Sequence, residues 1–220
     1  MMRTNRRIAE FLLQSKAIKL EPASPFTWAS GWKSPIYCDN RKTLSYPEIR
    51  TAVRDAYVAC IRDSFPLPDV IAGVATGAIA QGALVADALN LPFIYVRSSA
   101  KGHGMQNLIE GAYTPGQKVI VIEDLISTGG SSLSAVEALR EAGCIVTGMV
   151  ATFTYGFRIS EEKFAEHALE VRTLTDYDTM IAQALESGYI TESQVPLLKK
   201  WRQDPANWSA SSSTEQPHEN

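Results

Sequence analysis

Residues 119–132 read Val-Ile-Val-Ile-Glu-Asp-Leu-Ile-Ser-Thr-Gly-Gly-Ser-Ser, and no other stretch restricts the fold as much. Four successive β-branched apolar residues, Val119 to Ile122, make a strand buried on both faces, as in parallel sheets. An amphipathic helix over residues 133–141 follows. Between the two lie the carboxylates Glu123 and Asp124 and a run of small hydroxyl residues and glycines. Gly129 and Gly130 allow a tight turn and a close approach of backbone to a ligand. Ser127, Thr128, Ser131 and Ser132 offer hydroxyls beside the first amides of the helix, and that space suits a phosphate. Ionised Glu123 and Asp124 can only accept hydrogen bonds, so they suit hydroxyls or a metal rather than the anion. An acid pair beside an anion nest describes a ribose 5-phosphate. The competing reading is a strand-to-helix turn with a Ser/Thr cap, yet capping alone does not require two acids, four hydroxyls and two glycines within ten residues. The loop is neither a Walker A loop nor a G-x-G-x-x-G fingerprint.

At 220 residues, 45% hydrophobic and 20% charged, the chain has the make-up of one ordinary globular domain and excludes collagen-like or disordered classes. A net charge of −3 gives no global field for nucleic acid, so any polyanion site must be local. Cys38, Cys60 and Cys144 are odd in number and far apart, which argues against a disulfide framework or metal knuckle and for a reducing cytoplasm. No run of 18 apolar residues is present to span a membrane.

In chain order, residues 4–15 place Ile8, Phe11 and Leu12 on one face of a first helix. Residues 17–44 are short, irregular and rich in Pro and aromatics. They predict a β-ribbon or hood leaning on another part of the protein. In it Trp28, Trp32 and Tyr37 form either a ring-stacking surface or satellite core, and the residues by themselves favour core. Pro47 opens a helix to about Asp63. Strands are expected at 69–73, 92–96, 145–152 and 171–174, and helices at 78–89, 160–168, 177–187 and 191–202. The glycine turn at Gly73 to Ala78 is a second, weaker anion-loop candidate. Residues 98–117 have no period, a length of loop without internal structure that is usually functional or disordered. They hold Lys101-Gly102-His103-Gly104, which suits a lid bringing positive charge to a polyphosphate. The domain thus spans residues 1–204, and 205–220 read as a disordered tail. The alternation predicts an α/β fold with a parallel sheet covered on both faces. Its ligands should bind beyond the carboxyl ends of the strands, where the glycine turn, Arg97, the acid pair and an aromatic turn at 153–157 all lie.

The stretch 119–132 resembles the PRPP-binding signature of the type I phosphoribosyltransferases. Two further stretches are similar to segments of the orotate enzymes of that family. Ser30-Gly31-Trp32-Lys33-Ser34-Pro35-Ile36-Tyr37 matches their N-terminal Ser-Gly-x-x-Ser-Pro segment. Arg97-Ser98-Ser99-Ala100-Lys101-Gly102-His103-Gly104 matches their catalytic loop, Arg-x-x-x-Lys-x-His-Gly. The resemblance runs from the first helix to about Trp201. It implies the type I phosphoribosyltransferase fold, a central mostly parallel sheet flanked by helices with an N-terminal hood. It also implies orotate phosphoribosyltransfer from PRPP, with Mg²⁺ carried on PRPP rather than in a protein cage.

Residue by residue, the resemblance assigns catalysis to Lys101, His103 and Asp124. Glu123 and Asp124 would hold the ribose hydroxyls, and the backbone of Leu125, Ile126, Ser127, Thr128, Gly129, Gly130 and Ser131 the 5-phosphate. Arg97, Lys101 and His103 would contact pyrophosphate, with Lys101 and His103 crossing into the partner's site of a homodimer. Ser127 and Tyr37 would contact orotate. The chain departs from the pattern at Ala29, Ser98 and Thr76-Gly77, where many members have lysines. No arginine stands in Phe153-Thr154-Tyr155-Gly156. Backbone amides near Tyr37 and Gly156 are therefore open as readers of the orotate carboxylate, with Lys33 and Arg158 behind them.

Overall fold

In the computed structural model, which describes residues 2–28, 31–98 and 108–208, the chain opens with helix α1 (Met2–Gln14). The strands β1 (Ile18–Leu20), β2 (Phe26–Thr27), β3 (Lys33–Ser34) and β4 (Ile36–Cys38) form the hood. A 3-10 turn over Asn40–Ser45 leads to α2 (Pro47–Ser64), where Pro47 occupies the first turn and its missing amide costs nothing. Strands and helices then alternate: β5 (Val70–Val74), α3 (Ile79–Leu89), β6 (Phe93–Val96), β7 (Ile109–Glu110), β8 (Lys118–Ile126), α4 (Gly130–Glu141), β9 (Ile145–Thr154), α5 (Arg158–Glu166), β10 (Val171–Asp176) and α6 (Tyr177–Glu186). A 3-10 turn at Glu192–Gln194 precedes α7 (Val195–Gln203).

The main sheet has the order β10-β9-β8-β5-β6-β7, parallel throughout except for the β6–β7 pair. The β-branched run of β8 sits in its middle, and alternation sends successive side chains to opposite faces. Ile120 and Ile122 enter the core shared with α1, α2, α3 and α6. Val119 and Val121 enter the core beneath α4 and α5. The α/β fold with helices on both faces is as the sequence predicts.

Four local expectations are corrected. The central strand does not stop at the acids but continues to Ile126, and α4 begins at Gly130 rather than 133. The aromatic turn is shorter, because Phe153 and Thr154 still pair with β8. The span 98–117 has internal structure: Ile109 and Glu110 pair with Val96 and Tyr95 as an antiparallel edge. The tail's first residues are ordered enough for Trp208 to pack against the main core.

The hood is two antiparallel pairs, β1 with β4 and β2 with β3. Pieces this short are not stable alone, and the hood is held from the far end of the chain. The indole N–H of Trp201 on α7 donates to Lys33 O at 3.1 Å. Its ring meets Trp28 edge-on at 5.6 Å, and Tyr155, Phe157 and Tyr177 complete the cluster. Trp201 is fully buried. Trp201→Ala is expected to cost about 3–5 kcal/mol, read as a lower urea midpoint together with loss of near-ultraviolet circular dichroism. An unchanged midpoint would mean that the hood stands without this anchor.

Candidate active site

The site grows from the last residues of β8. Glu123 continues the Val119–Val121 face and is only 3% exposed. Its carboxylate accepts from Ser132 Oγ of α4 at 2.8 Å and from the Asp124 amide at 3.0 Å. Asp124 continues the Ile120–Ile122 face toward the turn between β5 and α3. A Cβ on Gly77 would collide with the Asp124 carboxylate. The absent side chain at Gly77 is what lets this turn lie against the acid, so the second candidate loop does reach the first. Burial, then the Asp124 charge, pushes the Glu123 carboxyl up to about 8. Burial raises Asp124 as well, opposed by its contact with Glu123 and by the Arg41 charge. Of the two, Glu123 is the deeper, so burial favours the neutral form more strongly there.

Backbone groups of the same residues are fixed from two other elements. Tyr57 of α2 donates to Glu123 O at 2.5 Å and shares a 2.7 Å contact with Thr152 Oγ1. Asn40, just after the hood, donates its side-chain amide to Asp124 O at 2.5 Å. Neither residue is marked as functional by the sequence motifs. Tyr57 carried a signal: it falls on the apolar stripe Ile49, Val53, Tyr57, Ile61, and a hydroxyl on a buried stripe must find a partner. Asn40 carried none.

Past β8 the chain bends through Ser127 and Thr128 to Gly129, which caps α4 with φ +77°. Any Cβ there would also press on the Phe164 ring of α5. No side chain caps α4, so its first-turn amides are available to an anion. Gly130 and Ser131 are exposed, whereas Ser132 is buried beneath Glu123. Lys163 of α5 donates to Thr128 O at 3.4 Å and braces the loop.

Beside this nest lies a cavity of about 230 Å³ lined by Thr27, Trp28, Tyr37, Cys38, Leu125, Ser127 and Tyr155. Tyr37 and Ser127, ninety positions apart in the chain, thus face one space. Trp28 serves both readings offered for it, as core ring and as cavity wall. Trp32 stacks on Trp28 at 6.4 Å and does not line the cavity. Burial raises the Cys38 thiol and the Tyr155 phenol well above their ordinary values, and no Asp, Glu, Lys, Arg or His stands among the lining residues.

Arg97 directly follows β6, two strand positions from β8, roughly 10 Å away. Its guanidinium lies 3.4 Å from Glu110 of β7. Lys101 and His103 lie outside the described residues. Among the described residues no group of three or more His, Cys, Asp or Glu is arranged to hold a metal, and no helix is long and apolar enough to cross a membrane.

A strand, acid pair, anion nest and adjoining cavity in this order define a phosphoribosyltransferase-like site, and a family model for the phosphoribosyl transferase domain matches residues 43–184. The chain is 62% identical over 202 residues to an orotate phosphoribosyltransferase of Phocaeicola vulgatus, covering 92% of this chain and 95% of that one. A crystal structure of orotate phosphoribosyltransferase from Aeropyrum pernix superposes with TM-score 0.73 at 26% identity, covering 84% of this chain and 99% of that one. UMP synthase from Leishmania donovani superposes with TM-score 0.78 at 28% identity, over 90% of this chain but 42% of that longer one. This chain belongs to the orotate phosphoribosyltransferase family.

The acid pair has a measurable signature. A carboxyl raised from 4.5 when unfolded to about 8 when folded favours folding below the lower value and loses that contribution as pH rises through the upper one. Urea unfolding of the ligand-free protein is therefore expected to show a decline in stability from about pH 5 to pH 8. Glu123→Gln, which keeps an acceptor for Ser132, should flatten that decline. Equal slopes in the two proteins would mean that Glu123 is ionised throughout.

Proposed function

We propose that the protein transfers ribose 5-phosphate from PRPP to orotate, giving orotidine 5′-phosphate and pyrophosphate in pyrimidine biosynthesis. The observation that carries this reading is the position of Ser127, which belongs to the loop at the head of α4 and also lines the aromatic cavity. A planar base in that cavity and a phosphate on the α4 amides would leave the ribose over Asp124. Asp124 would hold the ribose hydroxyls, while Glu123, already engaged by Ser132, holds the strand end that presents Asp124. The amides from Leu125 to Ser131 would take the 5-phosphate.

Cleavage of the anomeric bond builds positive charge on the ribose and negative charge on pyrophosphate. Asp124 would favour the first, and Arg97 and Lys101 the second, the electrostatic type of stabilisation that is commonly largest. Release of Arg97 from Glu110 would free it for this role. His103 would donate a proton or hydrogen bond to the departing pyrophosphate. The donor set fits an Mg²⁺ ion that takes most of its oxygens from substrate and water. When bound, Mg²⁺ supplies further neutralisation of the pyrophosphate. The proposal includes a cytoplasmic homodimer in which Lys101 and His103 act across the subunit boundary.

Purified protein should consume orotate, followed by its absorbance, in step with pyrophosphate release when PRPP and Mg²⁺ are added. Release only with another base would keep the chemistry and overturn the choice of substrate. Lys101→Ala is expected to reduce turnover by roughly 100-fold or more with little change in PRPP binding. Single-turnover chemistry at the wild-type rate would remove Lys101 from the mechanism. Mixing Lys101→Ala with Asp124→Asn should restore about a quarter of wild-type activity through hybrid dimers, each with one intact site. No recovery despite verified subunit exchange would rule out a shared loop.

A further inference from the structure

The described cavity contains no charge, yet the base proposed to occupy it is an anion. Burying a carboxylate among neutral walls without a partner is expensive, and a cation at the cavity edge would offset that cost most directly. Gly156 N is already donating to Thr154 Oγ1 at 3.0 Å. Arg158 is almost fully exposed and its guanidinium is bound to Glu162 at 2.6 Å. Arg41 is bound to Asp39 at 2.7 Å and acts on Asp124. Arg202 is bound to Asp178 at 3.0 Å.

Lys33 differs from all of these. It stands opposite Thr27 in the β2–β3 pair, and its ammonium donates to Thr27 Oγ1 at 2.7 Å. Thr27 lines the cavity. Among the described residues no carboxylate lies within ion-pair distance of Lys33. Its backbone carbonyl is pinned by the Trp201 indole, so the root of this long side chain is fixed while its head is held by one neutral hydroxyl. We propose that Lys33 is the residue that selects the substrate carboxylate, exchanging one of its three donors from Thr27 to the carboxylate of a base seated between Trp28 and Tyr37. The assignment rests on the orotate reading given above. It makes Lys33 a specificity-determining residue, with no part in bond cleavage.

The test compares wild type, Lys33→Met and Lys33→Arg with orotate and with uracil, which has the same ring edge but no carboxylate. Lys33→Met is expected to raise the KM for orotate about tenfold, the worth of one hydrogen bond to a charged group. Its kcat and its KM for PRPP should stay within about twofold of wild type. The preference for orotate over uracil should fall by the same factor of about ten, and Lys33→Arg should restore most of it. A structural role alone would lower activity toward both bases together. Thr27→Val supplies a second variant that leaves Lys33 in place and should change the orotate KM by less than Lys33→Met does. Wild-type orotate KM in Lys33→Met would overturn the assignment and leave the orotate reading standing. Absence of orotate turnover in the wild type itself would overturn both.

Discussion

Beyond Ile122 the central strand loses its neighbour on one side. β5 pairs with β8 only as far as Gly73 opposite Ile122, whereas β9 continues to Thr154 opposite Ile126. Four residues of β8 therefore project past half of the sheet. Buried backbone carbonyls must be satisfied, and here the partners come from side chains. The Tyr57 hydroxyl takes Glu123 O and the Asn40 amide takes Asp124 O. These two bonds tie α2 and the end of the hood to the one stretch that carries both acids. Glu123 then uses its carboxylate inward, on Ser132, and fixes the start of α4 relative to the strand. Acid pair and anion nest are consequently one rigid unit, with spacing set by bonds that never face the ligand.

A second dependence runs through the aromatic rings. Trp28, Tyr155 and Trp201 form one cluster, and two of the three also wall the cavity. Stability and recognition share side chains here. The hood docks because these rings exclude water, and the docked hood brings Tyr37, 38% exposed, to the cavity. Phe26 tilts against Tyr37 at 5.6 Å and limits where that ring can lie. Anything that loosens α7 should therefore reach the base cavity before it reaches the acids, because β8 is held independently by Tyr57 and Asn40.

The sheet, the acid pair and the nest were legible in the sequence because each depends on local pattern. β-branched runs mark buried strands, and residues 123–131 carry their donors and acceptors consecutively. What could not be read depends on distant contact. The strand's extension to Ile126 is imposed by β9, against the local signal of two acids that ordinarily end a strand. The pairing of Ile109 and Glu110 is a two-residue edge, too short to show a period. The cavity is assembled from Thr27, Trp28, Tyr37, Cys38, Leu125, Ser127 and Tyr155, a combination no window of sequence contains. Gly77 looked like one glycine turn among several, and its meaning appears only from the Asp124 carboxylate against it.

The distribution of charge follows from the same arrangement. A chain of net charge −3 has no long-range attraction for a polyphosphate, and a doubly ionised acid pair at the site would repel one. Burial of Glu123 next to Asp124 favours the neutral form of the inner carboxyl, which eases that repulsion. Asp124 is then the carboxyl that hydroxyls, and later a developing positive charge, would meet. The attraction needed for an anion would then come from short-range sources spread around Asp124. These are the uncapped amides of α4, Arg41 on the hood side and Arg97 just after β6. Such a site would discriminate by position more than by net charge, because each anionic group of a ligand would have to fall on its own donor.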